Sequence, residues 1–204
     1  MRVPYTIQIN NIVASVDLYR RLNLTEIVKR YSTAEYRPEQ FPGLVYRLWD
    51  PKVAMLIFSS GKMVCTGAKS VEDAKRAVKK VTKDPIEKCF GKQLEPPYIE
   101  VQNIVASGNF DKRIIIDQII RLHTPRYSTM YEPEQFPGAE TRDSKRFEKV
   151  GPDDKKIVIK ENPVFLLFDP NKYISVGCTT QESLTTRIGD LYKTLFELEL
   201  LEDF

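Results

Sequence analysis

Apolar and polar residues alternate from Val3 to Val16, where Ile7, Ile9, Asn11 and Val13 interleave with Gln8, Asn10, Ile12 and Ala14. A period of two predicts a half-buried strand. The period then changes. Leu24, Ile27, Val28 and Tyr31 fall at helical spacing behind Asn23, which can accept a bond from an unpaired N–H of the first turn. Ala34–Arg37 reads as a short strand. Leu44–Trp49, Val53–Phe58 and Lys62–Thr66 follow as strands, separated by the turn signals Asp50-Pro51-Lys52 and Ser59-Ser60-Gly61. Connections this short imply antiparallel hairpins. Ser70 opens a helix, with Asp73 in capping-box position. Val71, Ala74, Val78 and Val81 form its buried stripe, while Lys75, Arg76, Lys79 and Lys80 lie largely off it. The order is β-α-β-β-β-β-α. Residues 84–97, carrying Pro85, Gly91, Pro96 and Pro97, are expected to be a linker.

The same order then returns. Ile99–Ala106 is a strand, Asp111 caps a helix bearing Ile115, Ile116, Ile119 and Ile120, and Leu184, Ile188, Leu191 and Leu195 define a last helix weakened at Gly189. An acidic end, Glu197 to Phe204, follows. Short segments repeat outright. Asn11-Ile12-Val13-Ala14-Ser15 recurs at 103–107, Arg30-Tyr31-Ser32-Thr33 at 126–129, and Pro38-Glu39-Gln40-Phe41-Pro42-Gly43 at 133–138. This is a tandem duplication, with one repeat in 1–91 and the other in 92–204. Proline at both ends of each Pro-Glu-Gln-Phe-Pro forbids regular pairing, so Phe41 and Phe136 are expected on projecting loops. The second repeat is longer by about 15 residues, all within 143–163. Gly151-Pro152-Asp153-Asp154 suggests a strand-turn-strand ribbon there, with a disordered loop as the alternative.

Composition narrows the function. Of 204 residues, 42% are hydrophobic, enough for one or two cores, and the net charge of +3 hides an uneven split: +7 in residues 1–91 and −4 in 92–204. A basic half suits a polyanion; an acidic half does not unless its acids face away. Cys65, Cys89 and Cys178 lie far apart with no metal spacing, which predicts a reducing, intracellular setting without disulfides or a metal. No run is long and apolar enough for a membrane span, and the N-terminus has no signal-peptide core. There is one histidine, His123, no nucleophile motif and no phosphate-cradling loop, so neither an enzyme nor a cofactor is expected. Alternation places Asn11 with Val13, Leu56 with Phe58, and Val64 with Thr66 on common faces. Whether those faces are core or open is left undecided by periodicity.

The segments Asn11–Ser15, Glu35–Leu48 and Ala54–Ser70 closely resemble the TATA-box-binding proteins, most like the archaeal form. The likeness spans nearly the whole chain and is tighter in the first repeat. It implies an α+β fold: a saddle of two pseudosymmetric repeats whose curved antiparallel sheet carries its helices on the convex face. It also implies an open concave sheet lying in the minor groove of A·T-rich promoter DNA, kinked by phenylalanine wedges. By position, Asn11 and Asn103 match the family's central asparagines, and Val13 and Val105 its paired valines. Val64 and Thr66 match floor contacts, with Ile174 at the place of Val64. Phe41 with Phe58 and Phe136 with Phe168 match the wedges, flanked by Leu56 and Leu166. Arg47, Lys62 and Lys69 match phosphate contacts, with Arg142 and Lys172 as partial counterparts. Glu132, Glu134 and Gln135 fall on the loop that in the family meets transcription factor B, which brings RNA polymerase indirectly. The implied location is the cytoplasm and nucleoid of an archaeon, or a nucleus.

The second repeat departs from the family. Ser59-Ser60-Gly61-Lys62 becomes Asp169-Pro170-Asn171-Lys172, Leu44-Val45-Tyr46 becomes Ala139-Glu140-Thr141, and Thr66 and Lys69 become Val176 and Thr179. Weaker or more salt-sensitive DNA binding is therefore expected than in a regular member. A specialised relative that mainly binds protein is the other reading.

Overall fold

The computed structural model describes residues 3–150, 156–159 and 161–204, and no side chain within 148–160. In chain order the elements are β1 (Gln8–Asp17), α1 (Leu24–Arg30), β2 (Ala34–Glu35), β3 (Leu44–Trp49), β4 (Lys52–Ile57), β5 (Lys62–Ala68), α2 (Val71–Val81), a π-helical turn (Thr82–Ile86), α3 (Glu87–Phe90) and β6 (Tyr98–Asn109). Then come β7 (Arg113–Ile114), a 3-10 helix (Ile116–Arg121), β8 (Tyr127–Met130), β9 (Ala139–Asp143), β10 (Phe147–Val150), β11 (Lys156–Ile159), β12 (Val164–Phe168), β13 (Lys172–Cys178), α4 (Gln181–Glu197) and β14 (Leu201–Glu202). The chain divides into two compact units, Asn10–Gln102 and Asn103–Phe204 with Met1–Ile9. They are the first and second unit below.

In the first unit the strands run antiparallel in the order β2-β3-β4-β5-β1. Ile12, Ala14 and Val16 of β1, Leu44 and Tyr46 of β3, Val53, Met55 and Ile57 of β4, and Met63 and Cys65 of β5 are buried. Every second residue thus meets the core, which is what the alternation requires. Ala74, Ala77, Val78 and Val81 of α2 are the buried helical positions. Burying one such valine stabilises the unit by about 1.5–3 kcal/mol relative to leaving it in water. Ser70 caps α2 by accepting from the Asp73 N–H at 3.0 Å, and Asn23 caps α1 from Thr25.

The second unit repeats the sheet as β6-β13-β12-β9-β8. On α4, Leu184, Ile188, Leu191 and Leu195 are all fully buried. Gly189 is a space requirement: a Cβ there would stand 2.9 Å from the Tyr5 hydroxyl. The N-terminal segment docks on this unit. Thr6 donates its N–H to Asn109, and Tyr173 donates its hydroxyl to the Thr6 carbonyl.

Three expectations need correction. Residues 84–90 are helical, because the π-helical turn places Pro85, which has no N–H to offer, within a continuous helical path to Phe90. Asp111 does not cap a helix; it accepts from the Tyr192 hydroxyl at 2.8 Å. The isoleucine run forms β7 and then a 3-10 helix, with Ile119 and Leu122 buried three residues apart and Ile120 exposed. Crowded β-branched side chains favour that break from α-helix. Within 143–163, β10 pairs antiparallel with β11, Phe147 opposite Ile159 and Val150 opposite Lys156. The turn expected at 151–154 lies outside the described residues.

Candidate nucleic-acid interface

The sheet face away from the helices is open in each unit. In the first, Leu56 lies opposite Val45 on one side and Val64 on the other, and Val64 lies opposite Ser15. Directly paired residues share a face, so Val45, Leu56, Val64 and Ser15 form one row. All four are half-buried. The next row places Ala54 between Arg47 and Thr66. Asn11 and Val13 lie on this face by their parity with Ser15, as does Phe58 with Leu56. The face is therefore apolar and uncovered, which marks a binding surface more often than a packing accident.

Asn11 is held at a set angle. Its Oδ1 accepts the Gly67 N–H at 2.7 Å, and the same bond recurs at 2.7 Å between Gly177 and Asn103 in the second unit. A backbone N–H can only donate, so the bonded atom is the amide oxygen and Nδ2 is the donor side; in the first unit Nδ2 points one hydrogen at the Thr66 hydroxyl, a long 3.5 Å, which leaves its other hydrogen for an outside partner. The local cause is a bulge. The β1–β5 register shifts between Ile12 and Ala14, and the β13–β6 register between Ser175 and Cys178. Gly67 (φ +97°) and Gly177 (φ +93°) take the left-handed conformation that turns their N–H groups toward the asparagines.

At the loop end of each face two phenylalanines meet edge to face. Phe41 and Phe58 have centroids 5.8 Å apart, and Phe136 and Phe168 5.7 Å apart. Each loop turns through a shared acceptor: Gln40 and Phe41 both donate to the Arg37 carbonyl, and Gln135 and Phe136 to that of Glu132. The glycine ending each motif seats the rings. A Cβ at Gly43 would lie 2.5 Å from Phe41 and 2.9 Å from Phe58, and one at Gly138 2.6 Å from Phe168. Phe41 and Phe136 remain 38% and 41% exposed, well placed to meet an outside partner.

The charges differ between the units. In the first, Lys62 and Lys69 are exposed, and Arg47 stands 3.6 Å from Glu35. In the second, Arg142 is ion-paired with Glu140 at 2.5 Å, without hydrogen-bond alignment, and Lys172 is exposed. Asp169, beside the wedge Phe168, is held by Arg113 at 3.0 Å. The row equivalent to Val45–Leu56–Val64–Ser15 is Glu140–Leu166–Ile174–Ser107. Val105, like Asn103, shares the parity of Ser107, and Val176 stands where Thr66 does. Thr179, at the place of Lys69, turns to the protein and donates twice to Glu161 Oε1, at 2.7 and 2.9 Å. Glu132, Glu134 and Gln135 are exposed on the Phe136 loop.

A buried charge cluster that no sequence pattern announces lies behind this unit. Arg187 of α4, 1% exposed, donates to Asp143 at 2.7 Å, to the Lys145 carbonyl at 2.8 Å and to Glu161 at 3.3 Å. Arg126 donates twice to Asp143, at 2.8 and 2.9 Å, and to Asp190 at 2.7 Å. Burial works to raise the Asp143 carboxyl, but the bonds from Arg126, the Lys145 N–H and Arg187 outweigh it and hold it below the usual range. Asp190 is lowered in the same way, its burial overcome by Arg126 and Lys145. The cluster clamps both ends of the inserted 143–163 stretch to α4. Its members are scattered from Arg126 to Asp190, so no local motif announces it.

Burial raises the Cys65 and Cys178 thiols to about 11, so both stay protonated at neutral pH. His123 is exposed in the loop after the 3-10 helix. Among the described residues no acidic, Cys or His cluster could hold a metal, and no helix is long and apolar enough to cross a membrane.

Together these features define an internally duplicated α+β protein that presents an open sheet face, studded with amides and flanked by aromatic pairs, in place of a cleft. Residues 6–84 and 98–198 match the family model described as transcription factor TFIID, or TATA-binding protein. The chain is 39% identical to the TATA-box-binding protein of Pyrobaculum aerophilum, over 95% of this chain and 88% of that protein. It is 39% identical to that of Thermococcus kodakarensis, over 97% and 94%. The solved structure of Methanococcus jannaschii TBP superimposes with a TM-score of 0.73 at 38% identity, covering 94% of this chain and 98% of that one. The chain belongs to the TATA-binding protein family, a family of DNA-binding transcription initiation factors and not of enzymes.

Proposed function

We propose that this protein binds A·T-rich promoter DNA in the minor groove through the open faces of its two units. The observation that carries the reading is the fixed amide orientation of Asn11 and Asn103. At A·T pairs the minor groove offers only acceptors, adenine N3 and thymine O2. An amide whose oxygen is already bonded presents the donors those atoms need. Val13, Val105, Leu56, Leu166, Val64, Ile174 and Thr66 give the surrounding surface its fit to the groove floor. Phe41 with Phe58 and Phe136 with Phe168 wedge into base steps; unstacking a step costs a few kcal/mol and is offset by the contact that a bent duplex makes with more protein. Arg47, Lys62, Lys69, Arg142 and Lys172 meet phosphates and fix position without reading sequence. Glu132, Glu134 and Gln135 on the Phe136 loop receive transcription factor B, which recruits RNA polymerase.

Gel shift on an A·T-rich duplex, with and without transcription factor B, tests this. Binary binding that is lost in Phe41→Ala and Phe168→Ala supports it. A second reading, a regulatory relative that works mainly through protein contacts, is favoured by Glu140 and Asp169 on the second face and by Thr179 turned inward. Capture of transcription factor B without DNA, unchanged in the same two variants, would support that reading instead.

A further inference from the structure

We infer that Glu140 makes one position of the DNA site prefer a G·C pair over A·T. This rests on the minor-groove reading above. Glu140 lies directly opposite Leu166 on the open face, in the row that continues through Ile174 to Ser107. The first unit has Val45 at the equivalent place, opposite Leu56. A carboxylate therefore replaces an aliphatic group among the residues that meet the groove floor. The core neighbours Ala139 and Thr141 are fully buried, so the strand is locked in register and Glu140 cannot turn inward without moving both.

The chemistry follows from what the groove displays. At A·T and T·A pairs the floor carries acceptors alone; a G·C pair adds one donor, the guanine 2-amino group. A carboxylate is an acceptor with about four lone-pair sites. Against A·T it faces other acceptors and loses water without compensation. Against G·C it gains a charge-assisted hydrogen bond, the stronger kind. Arg142 engages Oε1, which positions the carboxylate and leaves acceptor capacity on the second oxygen. The two central asparagines donate and favour A·T, whereas Glu140 accepts and favours G·C. The two ends of the recognised sequence are thereby unequal, and the unlike units are given a fixed orientation on a promoter.

The test is a scan. G·C is placed in turn at each position of an A·T-rich duplex, and binding is read by fluorescence anisotropy for the full chain, Glu140→Val and Phe41→Ala. At one position the wild type should bind G·C about tenfold tighter than A·T, the low end of what one good side-chain contact to a base discriminates. Inosine, which lacks the 2-amino group, should abolish that preference, and Glu140→Val should reverse it. If wild type and Glu140→Val rank the whole series alike while Phe41→Ala abolishes binding, the inference is overturned and the minor-groove reading stands. If Glu140→Val only tightens all duplexes equally and steepens the salt dependence, Glu140 merely neutralises Arg142 and the inference is again overturned. Binding that ignores Phe41→Ala overturns the reading and the inference together.

Discussion

Replacing Gly43 by alanine tests the wedge geometry without deleting a ring. The new Cβ would stand 2.5 Å from Phe41 Cε1 and 2.9 Å from Phe58 Cε1. An ordinary carbon contact needs about 3.5–4.0 Å, so one ring must move by roughly 1 Å. Phe41 is the one free to go, being 38% exposed at the loop tip. Its departure forfeits an edge-to-face pair, worth about 0.5–1.5 kcal/mol. For a chain of this size about 1 kcal/mol lowers Tm by roughly 2–4 °C. The effect on DNA should be larger than that. Binding constellations tolerate only about 0.5 Å of misplacement, so a wedge displaced by twice that should weaken binding at least tenfold, about 1.4 kcal/mol. Thermal unfolding and anisotropy on an A·T-rich duplex measure the two terms separately. Phe41→Ala removes the nearer of the two crowding rings and gives Phe58 room to shift, so Gly43→Ala added to it should cost less than it does alone; the pair is non-additive because both act largely through Phe41. Gly43→Ala that binds DNA like the wild type would refute the reasoning. So would a large fall in Tm that accounts for the loss of binding.

Other outcomes follow from the same contacts. Asn11→Asp keeps an acceptor for the Gly67 N–H but replaces the amide donors with a carboxylate; it should fold with near wild-type Tm and lose A·T binding by at least tenfold, by anisotropy. Arg187→Ala takes from Glu161 the guanidinium that balances its buried charge and leaves Asp143 with Arg126 alone, and chemical denaturation should show a loss of about 3 kcal/mol, the low end for a broken buried pair. Because the Asp143 and Asp190 carboxyls are lowered in the folded state, their contribution is full above the unfolded value of about 3.9 and is lost as pH falls through the folded values. Stability measured between pH 5 and pH 2 should drop more in the wild type than in Asp143→Asn. A titration of DNA binding against salt should give weak affinity and a shallow slope. Glu140 and Asp169 already occupy Arg142 and Arg113, and fewer free cations release fewer counterions. That sharpens the expectation of weaker or more salt-sensitive binding toward the first alternative.

Much of this was legible in the chain. The hairpin strands of the first repeat, the Ser70 and Asn23 caps and the α4 stripe all rest on local periodicity or on one side chain bonding a nearby N–H. Such signals survive because no distant contact competes with them. The isoleucines at 115–120 misled for the opposite reason: they fit a helical stripe, but β-branching and the pairing of Ile114 with Leu201 drew the backbone into a strand and a 3-10 helix. Pro85 looked like a linker residue because proline usually ends a helix, whereas a π-helical turn absorbs it. Alternation identified which residues share a face but not which face is covered, since that depends on where α2 and α4 pack. The amide orientation of Asn11, the seating role of Gly43 and the Arg187 cluster were illegible, because each depends on a partner brought in by the fold from another element or on a ring position no pattern encodes.

The most direct test of the central claim is DNA bending. An A·T-rich duplex labelled at both ends should shorten its end-to-end distance, read by energy transfer, when the wild-type protein binds. Phe41→Ala and Phe168→Ala should each reduce that change at saturating protein. Saturable binding with no change in end-to-end distance, or the full change retained in both variants, would contradict the account.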